Sequence, residues 1–149
     1  MTDIDFDVRF HEPLRTDDQL RLALEDLLQC ANLPQLWFIF LDEDQHLVGP
    51  FMPGDGYPDD PAQPVDTDDL GTVPSAEVMA VRVGMIAELV GAAHAVLVWE
   101  RPGPDRLTEG VRAWVRAVAA ACLAREVSLR AQLLLHDDGL RMLVPDDWV

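Results

Sequence analysis

Lysine is absent from this chain, and all eleven fixed positive charges are arginines, set against 27 acidic side chains for a net charge of −16. A protein that binds a nucleic-acid backbone needs clustered positive charge to displace counterions. That cluster is missing, and the same deficit argues against an anionic membrane surface. Serine is scarce too: only Ser75 and Ser128 occur, and neither sits in a Gly-x-Ser-x-Gly elbow. The two cysteines, Cys30 and Cys122, are too few for a disulfide framework. Both fall in apolar helical patterns and read as free core thiols. The four histidines, His11, His46, His94 and His136, form no His-x-His or His-Glu-x-x-His pair, so no local metal motif exists. No apolar run approaches the ~18 residues needed to span a bilayer. The opening residues Met1, Thr2, Asp3, Ile4 and Asp5 are acidic where a secretory signal would be basic and then apolar, so the expected location is cytoplasmic.

What is present suits one globular domain over residues 1–149, with 49% apolar and 26% charged residues. The charge is uneven. Residues 1–73 hold 17 carboxylates and 3 arginines, a balance of −14, whereas residues 74–149 hold 10 and 8. Ile4, Phe6, Val8 and Phe10 alternate with polar residues and predict a short strand. Thr16 and Gln19 form a capping-box signature before a helix carrying Leu20, Leu24, Leu27, Leu28 and Ala31. Residues 36–41 and 47–52 predict a hairpin across an acidic turn at 42–45. Residues 53–74 contain five prolines, three glycines and six aspartates. They offer little to bury and read as one long loop, mobile or held by surface contacts. Val78, Val81, Met85 and Leu89 mark a second helix, with Ser75 or Thr72 as its cap. Val111, Trp114, Val115, Val118 and Cys122 mark a third.

The C-terminal half has an apolar run from His94 to Trp99, a Glu100-Arg101-Pro102-Gly103-Pro104 turn, the third helix, an apolar run at 129–135, a turn at Asp137, Asp138 and Gly139, and a last run at 140–144. This order resembles the JAB/MPN fold, its RadC-like branch in particular, and much of it is shared with the cytidine-deaminase fold. The chain is also similar to a group of high-GC bacterial proteins with a Glu-Arg-Pro-Gly turn before a Trp-containing helix. The resemblance implies an α/β fold: a mixed sheet of about five to six strands flanked by three helices. It also implies where ligands would stand. The JAB metal positions hold Trp99 and Arg101, and its Ser-x-x-Asp positions hold Thr108 and Val111. The deaminase His-x-Glu position holds Ser75, Ala76 and Glu77, and the Pro102-Gly103-Pro104 turn has no cysteine directly after it where Pro-Cys-x-x-Cys would stand. The residues needed for zinc are therefore missing, and neither a metal nor a cofactor is expected.

Two further patterns carry candidate residues. Asp66, Asp68, Gly71 and Glu77 fall at positions 1, 3, 6 and 12 of a calcium loop, but position 5 is Leu70 and prolines 58, 61 and 64 break any entering helix. Glu100, Arg101, Arg106, Thr108, Arg112 and Arg116 gather near the start of the third helix, where exposed N–H groups could hold a small anion. The expected function is a non-catalytic binding or regulatory module without a catalytic residue. Asp59, Asp60, Asp66, Asp68, Asp69 and Trp148 would face a protein partner with a basic surface, and a homodimer is a second option. The alternative is an enzyme or small-anion sensor with its site near Glu100, Arg101 and the last helix.

Overall fold

The computed structural model describes residues 12–149. The strand expected around Ile4 to Phe10, and His11, lie outside the described residues. The first helix, α1 (Asp17–Leu28), begins as the sequence dictates. The Thr16 hydroxyl accepts the Gln19 N–H at 3.1 Å, and the Gln19 side chain accepts the Thr16 N–H at 3.0 Å. It ends at Gln29, whose φ of 65° no longer suits a helix. Cys30, just beyond, is exposed and not the core thiol expected from its apolar neighbours.

Strands β1 (Gln35–Leu41) and β2 (Leu47–Gly54) form the hairpin, followed by β3 (Pro64–Thr67), β4 (Gly71–Pro74), α2 (Ser75–Val90), β5 (His94–Glu100), α3 (Glu109–Ala124), β6 (Leu129–His136) and β7 (Gly139–Met142). Among the described residues, the main sheet has five strands in the order β2-β1-β5-β6-β7, and β3-β4 form a separate two-stranded ribbon. Of these strands only β5 and β6 pair in parallel, which follows from the helical crossover α3 between them.

Side-chain alternation sorts the sheet into two faces. Leu36, Phe40, Leu97, Trp99 and Leu134 point to the α2/α3 layer, where Ala76, Ala80, Val83, Trp114, Val115 and Val118 meet them. Ile39, Leu41, Val96, Val98, Leu133 and Leu135 point to the α1 layer and bury Leu20 and Leu24. The result is three layers, helix-sheet-helix, with two helices on one face and one on the other. One buried polar bridge crosses the larger core. The Trp99 indole donates to Gln132 Oε1 at 2.9 Å, and Gln132 Nε2 donates to the Val115 carbonyl at 3.0 Å. Each of those buried groups is thereby satisfied.

The structure corrects the sequence expectations in two places on this face. The buried residues of α2 are Ser75, Ala76, Ala80 and Val83. Of the expected stripe, Val78 and Val81 are half-buried, whereas Met85 is 47% and Leu89 84% exposed. Met79, Ile86 and Val90 pack on the core instead, so the inward face of α2 is rotated from the one expected. The helix also has no side-chain cap, because Pro74 stands at the N-cap position and the Ser75 hydroxyl donates instead to the Gln63 carbonyl at 2.7 Å.

The second correction concerns residues 53–74, which form more than a loop. β2 continues to Gly54, and the β3–β4 ribbon pairs Val65 with Val73 and Asp66 with Thr72. Pro61 is buried, its carbonyl accepts the Ala76 N–H at 3.0 Å, and Tyr57 packs on the main core. The calcium-loop alignment fails for the same reason. Asp66 accepts the Thr72 hydroxyl and Glu77 pairs with Arg125, so the two ends of that alignment face different partners.

Candidate functional site

Glu100 ends β5 and is only 2% exposed. Its carboxylate accepts four hydrogen bonds: from the Asn32 and Leu33 amides at 2.6 and 3.0 Å, and from Gln35 Nε2 and Trp37 Nε1 at 2.8 Å each. Burial pushes its pKa upward, but the four donors together outweigh that and hold it below the ordinary glutamate range. A fully engaged carboxylate cannot act on a ligand, and its role here is to clamp the α1–β1 connection onto the end of β5.

Arg101 turns to the opposite face. Its guanidinium donates to the Gln35 and Glu100 carbonyls at 3.2 and 2.7 Å and to the Tyr57 hydroxyl. The cation also lies 5.9 Å from the Tyr57 ring centre and 6.0 Å from that of Trp99, within cation–π range. Tyr57 in turn meets Trp99 and Trp114 edge-on, with ring centres 5.8 and 5.2 Å apart. The Trp114 indole N–H donates to the Pro58 carbonyl at 2.9 Å. Arg101, Tyr57 and Trp114 thus fold residues 54–58 back over the sheet.

That return path leaves a pocket of about 300 Å³ between the 54–58 segment, β3 and α2. Phe38, Tyr57 and Trp114 supply aromatic walls, and Val65, Val78, Met79, Val83 and Ile86 supply aliphatic ones. Gly54 is required at the edge, because a Cβ there would lie 2.7 Å from Phe38 Cε2. The floor holds buried Val83 and Trp114, whereas Asp55 is exposed and Arg82 half-exposed. Arg82 is paired through two nitrogens with Asp69, at 2.8 and 3.0 Å, and that hydrogen bonding lowers the Asp69 pKa. The Ser75 hydroxyl donates to the Gln63 carbonyl, and the Tyr57 hydroxyl oxygen accepts from Arg101.

The structure separates the residues that sequence grouped. Arg101 makes its contacts with Gln35, Tyr57, Trp99 and the backbone of its neighbour Glu100, and none of these contacts is with Arg106, Thr108, Arg112 or Arg116. Thr108 caps α3 by accepting the Val111 N–H at 3.2 Å. Arg112 reaches Glu109 at 3.3 Å, and Arg106 and Arg116 stand exposed without a carboxylate partner among the described residues. Asp59, Asp60, Asp66, Asp68 and Asp69 are exposed as expected, although Asp60 accepts the Ala62 N–H at 2.9 Å and Asp69 holds Arg82. Trp148 is half-buried against the larger core and so folds back onto the domain. His136 is buried at the end of β6, 3.9 Å from Asp105, which also binds Arg141. This network ties the 102–106 turn to β7 and lines none of the pocket.

Asp42, Asp44 and His46, which the sequence reading did not group, offer ligand-type atoms within 4.8 Å of one another. Asp42 Oδ1 already accepts the Asp44 and His46 amides at 2.9 Å each, and this alone accounts for the turn between β1 and β2. A larger groove of about 720 Å³ runs between the start of α2 and the end of α3. Its walls are mostly alanine and proline, and its two charged groups, Glu77 and Arg125, are paired with each other. Tyr57 lines the candidate pocket and was missed by sequence reasoning. It is the chain's single tyrosine, and its place in a Pro/Asp-rich stretch hid it.

The chain matches no protein-family model, no curated protein and no solved structure.

Proposed function

We propose that this protein is a non-catalytic binding module whose site is the open pocket lined by Phe38, Tyr57, Val65, Met79, Val83, Ile86 and Trp114. The observation that carries this reading is the pocket itself. Three aromatic and five aliphatic side chains line about 300 Å³ where residues 54–58 fold back over the sheet. That volume is at the lower end of small-ligand sites, which are mostly apolar with a few polar groups. It corresponds to about ten waters of liquid volume, enough for one ring with a short chain. The pocket lies beside the Arg101–Tyr57 contact but is not lined by Arg101, so this reading replaces the small-anion sensor expected near Arg101 with a site whose charged residues are Asp55 and Arg82. The lining, largely apolar with Asp55 and Arg82 as its charged residues, favours binding over catalysis. The strand order and the two-plus-one helix arrangement favour a JAB-like or deaminase-like layout for the scaffold.

Calorimetric titration with neutral 3-phenylpropanol tests the reading. The native chain should bind it at a single site. Met79→Trp or Val65→Trp, each of which fills the pocket, should abolish binding while far-UV circular dichroism stays native. Undiminished binding by both folded variants would refute it.

A further inference from the structure

The pocket is polarised, and resting on the reading above, we propose that its ligand is a lipophilic amine, an apolar tail with a cationic head, held with the head at Asp55. Three observations carry this. The buried lining residues are Val83, Trp114 and Ser75, and the Ser75 hydroxyl is already bonded to the Gln63 carbonyl, so the apolar tail belongs there. The charged residues lie at the mouth, where Asp55 and the Asp69–Arg82 pair leave two carboxylates against one guanidinium. Arg82 is already committed to Asp69 through both terminal nitrogens, whereas Asp55 has no ion-pair partner among the described residues. The surplus carboxylate at the mouth is thus the one free to meet a ligand charge.

Arg101 adds to this preference. It already uses the Tyr57 ring as a cation acceptor, so that wall is not free to take a second cation, and the head is left to Asp55. The surrounding field agrees, since a net charge of −16 raises the local concentration of cations and repels anions. An anionic ligand would have to displace Asp69 from Arg82 against that field.

Three probes with one tail separate the outcomes: 3-phenylpropylammonium, 3-phenylpropanol and 3-phenylpropanoate, titrated at pH 7 and low salt. The cation should bind roughly five- to tenfold more tightly than the alcohol, the gain expected from one partly screened charge contact. Its advantage should shrink as salt rises. Asp55→Asn should reduce the cation to the affinity of the alcohol and leave the alcohol unchanged, whereas Asp59→Asn, an exposed carboxylate that does not line the pocket, should preserve the preference. Equal binding of cation and alcohol would overturn this inference while leaving the pocket reading intact. So would tightest binding of the carboxylate, or an equal loss in Asp59→Asn, which would trace the preference to bulk charge. Failure of all three probes to bind would overturn the pocket reading itself.

Discussion

The Trp114 indole, from the middle of the last long helix, donates its N–H to the carbonyl of Pro58 at 2.9 Å across 56 residues of sequence. This bond joins α3 to the segment that walls the pocket, and the ring beside it supplies part of the floor. Trp114→Phe keeps an aromatic ring but leaves the carbonyl without its donor. Such a loss should cost about 1–2 kcal/mol in urea unfolding. It should also weaken 3-phenylpropanol binding, because residues 54–58 lose an anchor. No change in either measurement would mean that Arg101 and Tyr57 hold the segment by themselves.

Glu100 gives a stability prediction with a defined sign. Its folded pKa lies below the unfolded one, so its contribution is complete above the ordinary glutamate range and is lost as pH falls through the folded value. Glu100→Gln turns an amide toward groups that all donate, and should cost about 3 kcal/mol at neutral pH. Stability curves of the native chain and the variant should converge in acid, as the native carboxylate takes up its proton. A gap that stays constant from neutral pH into strong acid would show that the four donors do not depend on the charge.

The thiols should separate by exposure. Cys122 is buried in the α2/α3 core and burial pushes its pKa up to about 11, while Cys30 is exposed. Ellman's reagent should therefore titrate one thiol per native chain and two in denaturant, and Cys30→Ser should remove the fast one. Two fast thiols in the native chain would contradict the packing of α3.

Local chemistry made much of the scaffold legible in the sequence. The Thr16–Gln19 capping box, the 35–54 hairpin and the α3 face of Val111, Trp114, Val115, Val118 and Cys122 all depend on neighbours within a turn or two. The pocket depends on distant partners. Tyr57 meets Trp99 and Trp114, and no pattern around Tyr57 announces them. Glu100 read as part of a site because it stands beside Arg101 near the start of the third helix, but its four donors come from residues 32–37 and Arg101 leaves in the other direction. The face of α2 was missed for a related reason. Periodicity identifies a helix, but apolar residues occur all round this one, and the inward face of Ala76, Ala80 and Val83 is set by the sheet it packs on.

The acidic surface has its own expectation. A protein partner with a basic surface would be steered by Asp59, Asp60, Asp66 and Asp68, all exposed. Replacing these four with Asn keeps the acceptors used by Ala62 and Thr72, so the thermal midpoint should hardly move. Association with a polyarginine probe should slow at low salt and converge with the native rate at high salt. Identical low-salt rates would place any such contact elsewhere on the surface.

The most direct test of the central claim is nuclear Overhauser contact between the ring protons of bound 3-phenylpropanol and the protein's methyl groups. The account predicts contacts to Val65, Met79, Val83 and Ile86, all of which line the pocket. Contacts confined instead to Met85, Leu89 and Leu123, the exposed apolar residues of α2 and α3, or to the alanines of the groove between those helices, would contradict it.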